Sequence, residues 1–312
     1  MNQLLHVSLS PHIRDKSTTS SIMKDVLIAL MPATIYGICN FKLNAAIIII
    51  VTVVSCVASE FLFEYFMKKP ITIKDYSAAV TGLILALNLP STVPLWLPVI
   101  GSIFAIVVVK QLYGGIGQNF MNPALAARCF LLISFTGRMT NFVYDGITSP
   151  TPQAILKAGG QVDLIPMIVG NIGGTIGETS VIALLLGAAY LVFRGVIKLR
   201  IPLTYIGTFM IFTLFLSPRP FDFYYLACEV CGGGLVFGAF FMATDYVTSP
   251  ITAKGQIVFG ILLGILTGLF RFFGTSAEGV SYAIIIGNLL VPLIEKVTLP
   301  VPFGKEGVKN EK

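Results

Sequence analysis

Thr81–Pro94 reads TGLILALNLPSTVP and Gly238–Pro250 reads GAFFMATDYVTSP. Each is an apolar helix end that runs into Ala, a spacer, Asn or Asp and later a proline, so Ala86, Asn88 and Pro94 parallel Ala243, Asp245 and Pro250. Backbone freed where an apolar helix breaks must face protein or a water-filled cavity, because lipid offers no hydrogen bonds. In both halves a further apolar span and a glycine-bearing aromatic turn follow, Tyr113-Gly114-Gly115 in one and Phe272-Phe273-Gly274 in the other. The two stretches occupy the third and eighth apolar spans, and an odd offset of five helices sets them in opposite orientations. The pattern predicts an all-α, polytopic membrane protein with about ten transmembrane helices in two inverted five-helix repeats with broken helices, an arrangement common in transporters. Gly, Pro and Asn also recur at the ends of unrelated membrane helices, which is the competing explanation of the parallel.

Composition points the same way. Hydrophobic residues make up 55% of the 312 residues and charged ones only 12%, and the mean hydropathy of +0.86 excludes an ordinary soluble enzyme. Apolar runs place spans near residues 25–41, 44–67, 76–89, 94–113, 121–136, 180–194, 201–216, 225–243, 256–273 and 279–297. The chain divides into an amino-terminal segment 1–24, a membrane domain 25–297 with a long loop at about 137–179, and a tail 298–312. Residues 1–24 lack the apolar stretch and small-residue cleavage site of a signal peptide, so they are expected to remain as an interfacial segment.

The 21 basic residues orient the chain. Fifteen fall in segments on the side of the amino terminus, five on the other side, and Arg128 within the fifth span. Basic residues collect in cytoplasmic loops, so both termini are expected in the cytoplasm and the 137–179 loop outside. The same rule accounts for the net charge of +6 without any nucleic-acid partner.

Within that loop, Asp145-Gly146-Ile147-Thr148-Ser149-Pro150-Thr151 sets an acid, two spacers, a Thr, two small residues and a final Thr. This run resembles the acceptor motif of bacterial flavin transferases, which join the phosphate of FMN to the last hydroxyl. Asp145 and Thr148 would then serve recognition and Thr151 attachment. Pro150 and Pro152 fix their own φ and push their neighbours toward extended backbone, which presents a hydroxyl well. A rigid surface turn is the plainer account of TSPTP taken alone. Arg138 and Lys157 are candidates to offset the phosphodiester charge, and Gly173 and Gly174 permit close approach of backbone to a ligand. Thr179 or Ser180 can equally be a helix cap.

Six segments in order carry a wider resemblance: Ser10-Pro11-His12, Thr81–Pro90, Gly114–Ala124 (GGIGQNFMNPA), Asp145–Thr151, Gly173–Ser180 (GGTIGETS) and Met242–Pro250. Together they resemble the family of the D subunit of the Rnf complex and the B subunit of the sodium-pumping NADH:quinone reductase (RnfD/NqrB). Where the family usually has Gly then Ala before the Thr, this chain has Ser149 and Pro150. The resemblance implies a flavoprotein subunit of a ferredoxin:NAD oxidoreductase in a bacterial inner membrane. Its FMN would sit covalently on Thr151, and electron flow would be coupled to Na⁺ or H⁺ movement. It implies other membrane and peripheral subunits as partners, a flavin transferase for maturation, and room for a noncovalent riboflavin near Asn88, Asp245 and Thr248.

Other chemistry has weaker signals. Arg128, Glu60, Glu64, Glu229 and Asp245 are ionisable residues at membrane depth and so are functional candidates by default. Snorkelling near Lys68 is the bland reading of Glu64, and an interhelical hydrogen bond that of Asn288. Cys228 and Cys231 have C-x-x-C spacing but lie in an expected helix with no further thiols nearby in sequence, so no metal site is expected. No hydrolase triad or phosphate-binding loop is present. The alternatives are a stand-alone channel or secondary transporter, since Asn122-Pro123-Ala124 is similar to an aquaporin signature that here occurs once, and a scaffold without cofactor.

Overall fold

The computed structural model describes residues 18–144, 147–148, 150–274 and 279–300. Asp145, the side chain of Thr148, the Ser10-Pro11-His12 segment, most of the 1–24 segment and nearly all of the 298–312 tail lie outside the described residues. Helix α1 (Thr19–Phe66) is capped by Thr18, whose side chain accepts from the Ser21 N–H, and is broken at Lys42 (φ 58°, ψ −142°) into helices 19–41 and 43–66. α2 (Ser77–Leu87) follows, then α3 (Trp96–Ile103), which continues as a π-helix over Phe104–Gln111. α4 (Pro123–Ser134) begins at Asn122-Pro123, where the Asn122 side chain accepts from the N–H groups of Ala124 and Leu125. This N-cap followed by proline at the first helical position is a strong start signal.

The expected outer loop is itself structured. It holds α5 (Thr136–Met139), a short hairpin of β1 (Val143–Tyr144) and β2 (Ile147–Thr148), α6 (Pro152–Lys157) and α7 (Leu164–Val169). The second half then runs α8 (Val181–Phe193), α9 (Arg200–Leu216), α10 (Phe223–Cys231), α11 (Leu235–Phe237) extended by a π turn at Gly238–Met242, α12 (Ala253–Phe273) and α13 (Val280–Thr298). Each of the ten expected spans coincides with a helical segment. Three described helices are long and apolar enough to cross a membrane, and α10 with Leu235–Met242 makes a fourth that bends by 60°. The molecule is a polytopic, all-α membrane protein. One expectation needs amending: the eighth span breaks at Gly232–Gly234 as well as after Met242, because Gly233 (φ 60°) and Gly234 (φ 67°) turn the chain left-handed there.

Short helices occupy the centre. In α2 every residue except Ala79 is buried, and the whole of Leu235–Met242 is buried. The surrounding helices expose apolar side chains such as Ile28, Ile50, Leu203, Ile211 and Leu293, the outer surface expected of helices in lipid. α12 packs along α9 through Gly260, Gly264 and Gly268, spaced four residues apart on one face. A Cβ on Gly264 would lie 2.7 Å from Thr208 Cβ and 2.9 Å from the Phe209 nitrogen, the close approach that small residues permit between membrane helices.

The broken end of α2 is completed by the segment after α7. Ile176 N–H donates to the Leu89 carbonyl (3.0 Å) and Gly177 N–H to the Leu87 carbonyl (2.8 Å). A Cβ on Gly177 would meet Leu87 Cβ at 2.5 Å, so only glycine allows this pairing. The Gly173–Ser180 segment therefore satisfies backbone that the helix break has freed. Ser180 also caps α8, its side chain accepting from the Ala183 N–H.

Candidate functional site

Thr151 stands at the start of α6 in extended conformation (φ −62°, ψ 152°), with Pro152 beside it as the first helical residue. Its Oγ1 accepts a hydrogen bond from the Ala154 N–H at 3.3 Å. Thr151 and Pro152 thus form the capped start of a helix. Thr151 lines a cleft of about 330 Å³ with Gln153, Gly173, Gly174, Glu178, Thr179, Gly232 and Gly233. Two glycine turns far apart in sequence therefore face one threonine.

Of the residues singled out from sequence, this cleft unites Thr151, Gly173 and Gly174. Arg138 lies exposed on α5 and does not line it. Lys157 is at the far end of α6, where its Nζ donates to the Gly274 carbonyl at 2.6 Å. Partial burial pulls the Lys157 ammonium below its ordinary pKa, against the opposing pull of the Glu229 carboxylate. Because six helical residues carry Lys157 away from Thr151, it faces a second cleft, of about 310 Å³, lined by Gln153, Pro218, Tyr225, Glu229, Arg271 and Phe272. Gln153 is common to both clefts.

Beneath the clefts lie buried charges. Arg128 Nη1 donates to Glu178 (2.6 Å) and to Asn88 Oδ1 (2.5 Å), joining α4, the broken end of α2 and the Gly173–Ser180 segment. The Glu178 carboxylate also packs directly against Gly234. Arg271, 3% exposed, donates from Nη1 to the Glu229 carboxylate (3.0 Å) and carbonyl (2.6 Å), and from Nη2 to the carbonyls of Gly232 (2.9 Å) and Gly233 (3.1 Å). Buried charges persist only when paired and hydrogen-bonded, and these pairs fix the glycine turn between α10 and α11.

Asp245 and Thr248 come together, Thr248 Oγ1 donating to Asp245 Oδ2 at 3.1 Å. Asp245 lines an open cavity with Ser77, Thr81, Ile84, Lys110, Asn119 and Asn122 among its walls. That cavity runs along α2 from Ser77 through Thr81 to Ile84. Asn88 lies one turn beyond Ile84, its backbone N–H donating to the Ile84 carbonyl at 3.2 Å and its side-chain amide at 2.7 Å. Asn288 does make the interhelical bonds expected of it: with its amide nitrogen turned to the acceptors, it donates to the Thr248 and Ile284 carbonyls and accepts from Asn122 N–H.

At the Asp245 end the charged groups differ from the sequence expectation. Lys110, placed among loop residues by the charge count, is 2% exposed and donates to Glu60 (2.5 Å) and Ser77 (2.6 Å). Glu64 does not snorkel toward Lys68; it accepts from Thr72 N–H (2.9 Å), the Thr72 hydroxyl (2.5 Å) and Gln111 (3.2 Å). Arg271, assigned to an outer segment, is likewise buried. Glu178, Gln153, Arg271 and Lys110 were not singled out as site residues. Glu178 lay inside a quoted motif, and Lys110 interrupts the apolar run Ala105–Val109, a signal of intramembrane charge. Among the described residues no group of His, Cys, Asp and Glu could hold a metal ion.

Comparison with known proteins covers nearly the whole chain. Residues 6–304 match the model of the NQR2, RnfD, RnfE family. The chain is 47% identical to the D subunit of the Na⁺-translocating ferredoxin:NAD⁺ oxidoreductase complex of Acetobacterium woodii, over 100% of this chain and 99% of that protein. It is 41% identical to the D subunit of the proton-translocating ferredoxin:NAD⁺ oxidoreductase complex of Clostridium ljungdahlii, over 96% of each. Against the D subunit of the ion-translocating oxidoreductase complex of Escherichia coli the identity is 31%, over 96% of this chain and 99% of that one.

Proposed function

This chain belongs to the NQR2, RnfD, RnfE family, and on that premise we propose that it is the D subunit of an ion-translocating ferredoxin:NAD oxidoreductase complex and carries FMN in phosphoester linkage to Thr151. The observation that carries the reading is the cleft that Thr151 lines together with Gly173, Gly174, Gly232 and Gly233. The Gly174 side of the cleft is open, since a Cβ there would meet nothing nearer than Thr179 Cγ2 at 3.7 Å, whereas the Gly232 side is closely packed, a Cβ there lying 2.4 Å from Gln153 Nε2. Gln153 supplies a buried amide nitrogen without a hydrogen-bond partner in the same cleft. These residues suit an acceptor-rich ligand anchored at one end.

Bound FMN supplies the one- and two-electron chemistry. The residues of the chain position it. Thr151 holds the tether, the two glycine turns admit it, and Gln153 offers a donor. Arg128 and Arg271, locked by Glu178 and Glu229, hold the cleft floor. Asp145 and Thr148 serve recognition by a flavin transferase. Arg138 and Lys157 contribute long-range positive charge rather than contacts in the Thr151 cleft.

In this reading the chain sits in a bacterial inner membrane with both termini cytoplasmic and the Thr151 end outside, bound to other membrane and peripheral subunits. It passes electrons between ferredoxin and NAD within the complex, coupled to ion movement. Relatives at 47% and 41% identity are named for Na⁺ and for protons respectively, so overall similarity does not assign the ion. The cavity beside Asp245 and Thr248, with Asn88 one turn beyond its Ile84 wall, is our choice for a noncovalent riboflavin. The test of the tether is in-gel fluorescence of the denatured chain produced with a flavin transferase. The parent is expected to fluoresce and Thr151→Ala to be dark; a variant as bright as the parent would refute the assignment.

A further inference from the structure

α9 and α12 run parallel, since Gly260, Gly264 and Gly268 meet Thr204, Thr208 and Phe212 at a constant offset. Their amino-terminal ends therefore lie side by side at one end of the bundle. α12 is capped there by Thr252, whose Oγ1 accepts from the Gly255 N–H at 3.0 Å. α9 has no side-chain cap. The Leu203 N–H reaches the Leu199 carbonyl at 3.0 Å, but the N–H groups of Arg200 and Ile201 have no acceptor among the described residues.

Beside this uncapped start lies a cavity of about 250 Å³, with Lys198, Ile201, Tyr246, Ser249 and Ile251 among its walls. The Tyr246 hydroxyl donates to the Val196 carbonyl, holding the turn before α9 against the segment after Met242. Ser249 is 9% exposed, yet its hydroxyl makes no hydrogen bond among the described residues. A buried hydroxyl without a partner calls for a ligand or a water. Lys198 is exposed and has no ion pair among the described residues. No carboxylate lines the cavity; Glu295 meets its edge, where it accepts from the Ile251 N–H at 3.1 Å.

Two backbone donors at a positive helix end, a hydroxyl and an ammonium form a donor set suited to a phosphate. Lys198, Arg200 and Lys254 are exposed just ahead of the apolar lengths of α9 and α12, so the set stands at the level of lipid head groups. We infer that this cavity binds the phosphate of an anionic membrane lipid through Lys198, Ser249 and the start of α9, while the acyl chains follow exposed apolar side chains such as Leu203 and Ile251. The space suits a head group rather than a whole lipid. This site stands apart from the Thr151 attachment and does not depend on it.

The experiment is native mass spectrometry of the full chain in detergent, titrated with phosphatidylglycerol, with phosphatidylcholine of the same acyl chains, or with inorganic phosphate. The parent is expected to retain phosphatidylglycerol in preference to phosphatidylcholine, and inorganic phosphate at equal concentration not to displace it. Lys198→Ala and Ser249→Ala should each weaken phosphatidylglycerol binding about fivefold, whereas Lys254→Ala, at the same end but outside the cavity, should stay within about twofold of the parent. Equal retention of the two lipids, parental binding in both cavity variants, or an equal loss in Lys254→Ala would overturn the site. Displacement by inorganic phosphate would overturn the lipid as its occupant.

Discussion

At the scale of single residues, function turns on side chains whose chemistry the surrounding apolar fold cannot otherwise use. Glu229 and Arg271 are such a pair, with side chains 3% and 2% exposed and 3.0 Å between charged atoms. Removing one partner of a buried ion pair costs about 3–5 kcal/mol, because the other charge stays buried. Glu229→Ala is accordingly expected to lower thermal stability in detergent markedly, and Glu229→Gln, which keeps an acceptor for Arg271, to lower it less. Equal stability of both variants and the parent would show that the pair does not hold the α10–α11 turn. Thr151 itself was legible from its motif, and its glycine neighbours Gly173 and Gly174 from their composition. Gln153, Glu178 and Arg271 were not, because their roles depend on contacts between residues far apart in the chain, 50 for Arg128 with Glu178 and 39 for Arg271 with Gly232, which no local spacing records.

At the scale of elements, periodic apolar runs placed every major helix, and the prolines and Asn or Asp after α2 and after Leu235–Met242 placed the breaks there, but the break at Gly232–Gly234 was not placed. What sequence did not disclose is how the breaks are completed. The Leu87 and Leu89 carbonyls are satisfied by a segment some 90 residues further on. Each half also ends its long helix in a buried cation beside the start of a central short helix. Lys110 contacts Ser77 at the first residue of α2, and Arg271 grips Gly232 and Gly233 just before α11. This correspondence is what an inverted repeat requires. Residues 76–136 and 225–297 are therefore expected to superpose, in an experimental structure, with Lys110 and Arg271 at opposite ends. The α9–α12 contact makes its own prediction. Gly264→Leu forces bulk against Thr208 and the backbone of Phe209, an overpacking worth about 1–3 kcal/mol. Its midpoint of thermal unfolding should fall, while Gly207→Leu, where a Cβ meets nothing within 4 Å, should leave it nearly unchanged.

At the scale of the whole molecule, two polar centres lie toward opposite ends of a bundle whose outer surface is apolar. One gathers Thr151, Gln153, Glu178 and Arg128; the other gathers Asp245, Lys110, Glu60 and Ser77. The bias of basic residues is the ground on which we propose that the first faces outside. It survives the finding that Lys110 and Arg271 are buried, since this takes one residue from each side of the count. A reporter fused after Lys312 should be active only in its cytoplasmic form, and external activity would overturn the orientation. The outer placement matters because a cofactor exposed there would be lost unless tethered. The tether is tested most directly by mass spectrometry of peptides from the full chain, made with and without a flavin transferase. The expected result is one FMN less one water on the peptide spanning Thr148 and Thr151, fragmentation placing it on Thr151, and its absence without the transferase. An unmodified peptide under both conditions, or the added mass on Thr148, would contradict the assignment.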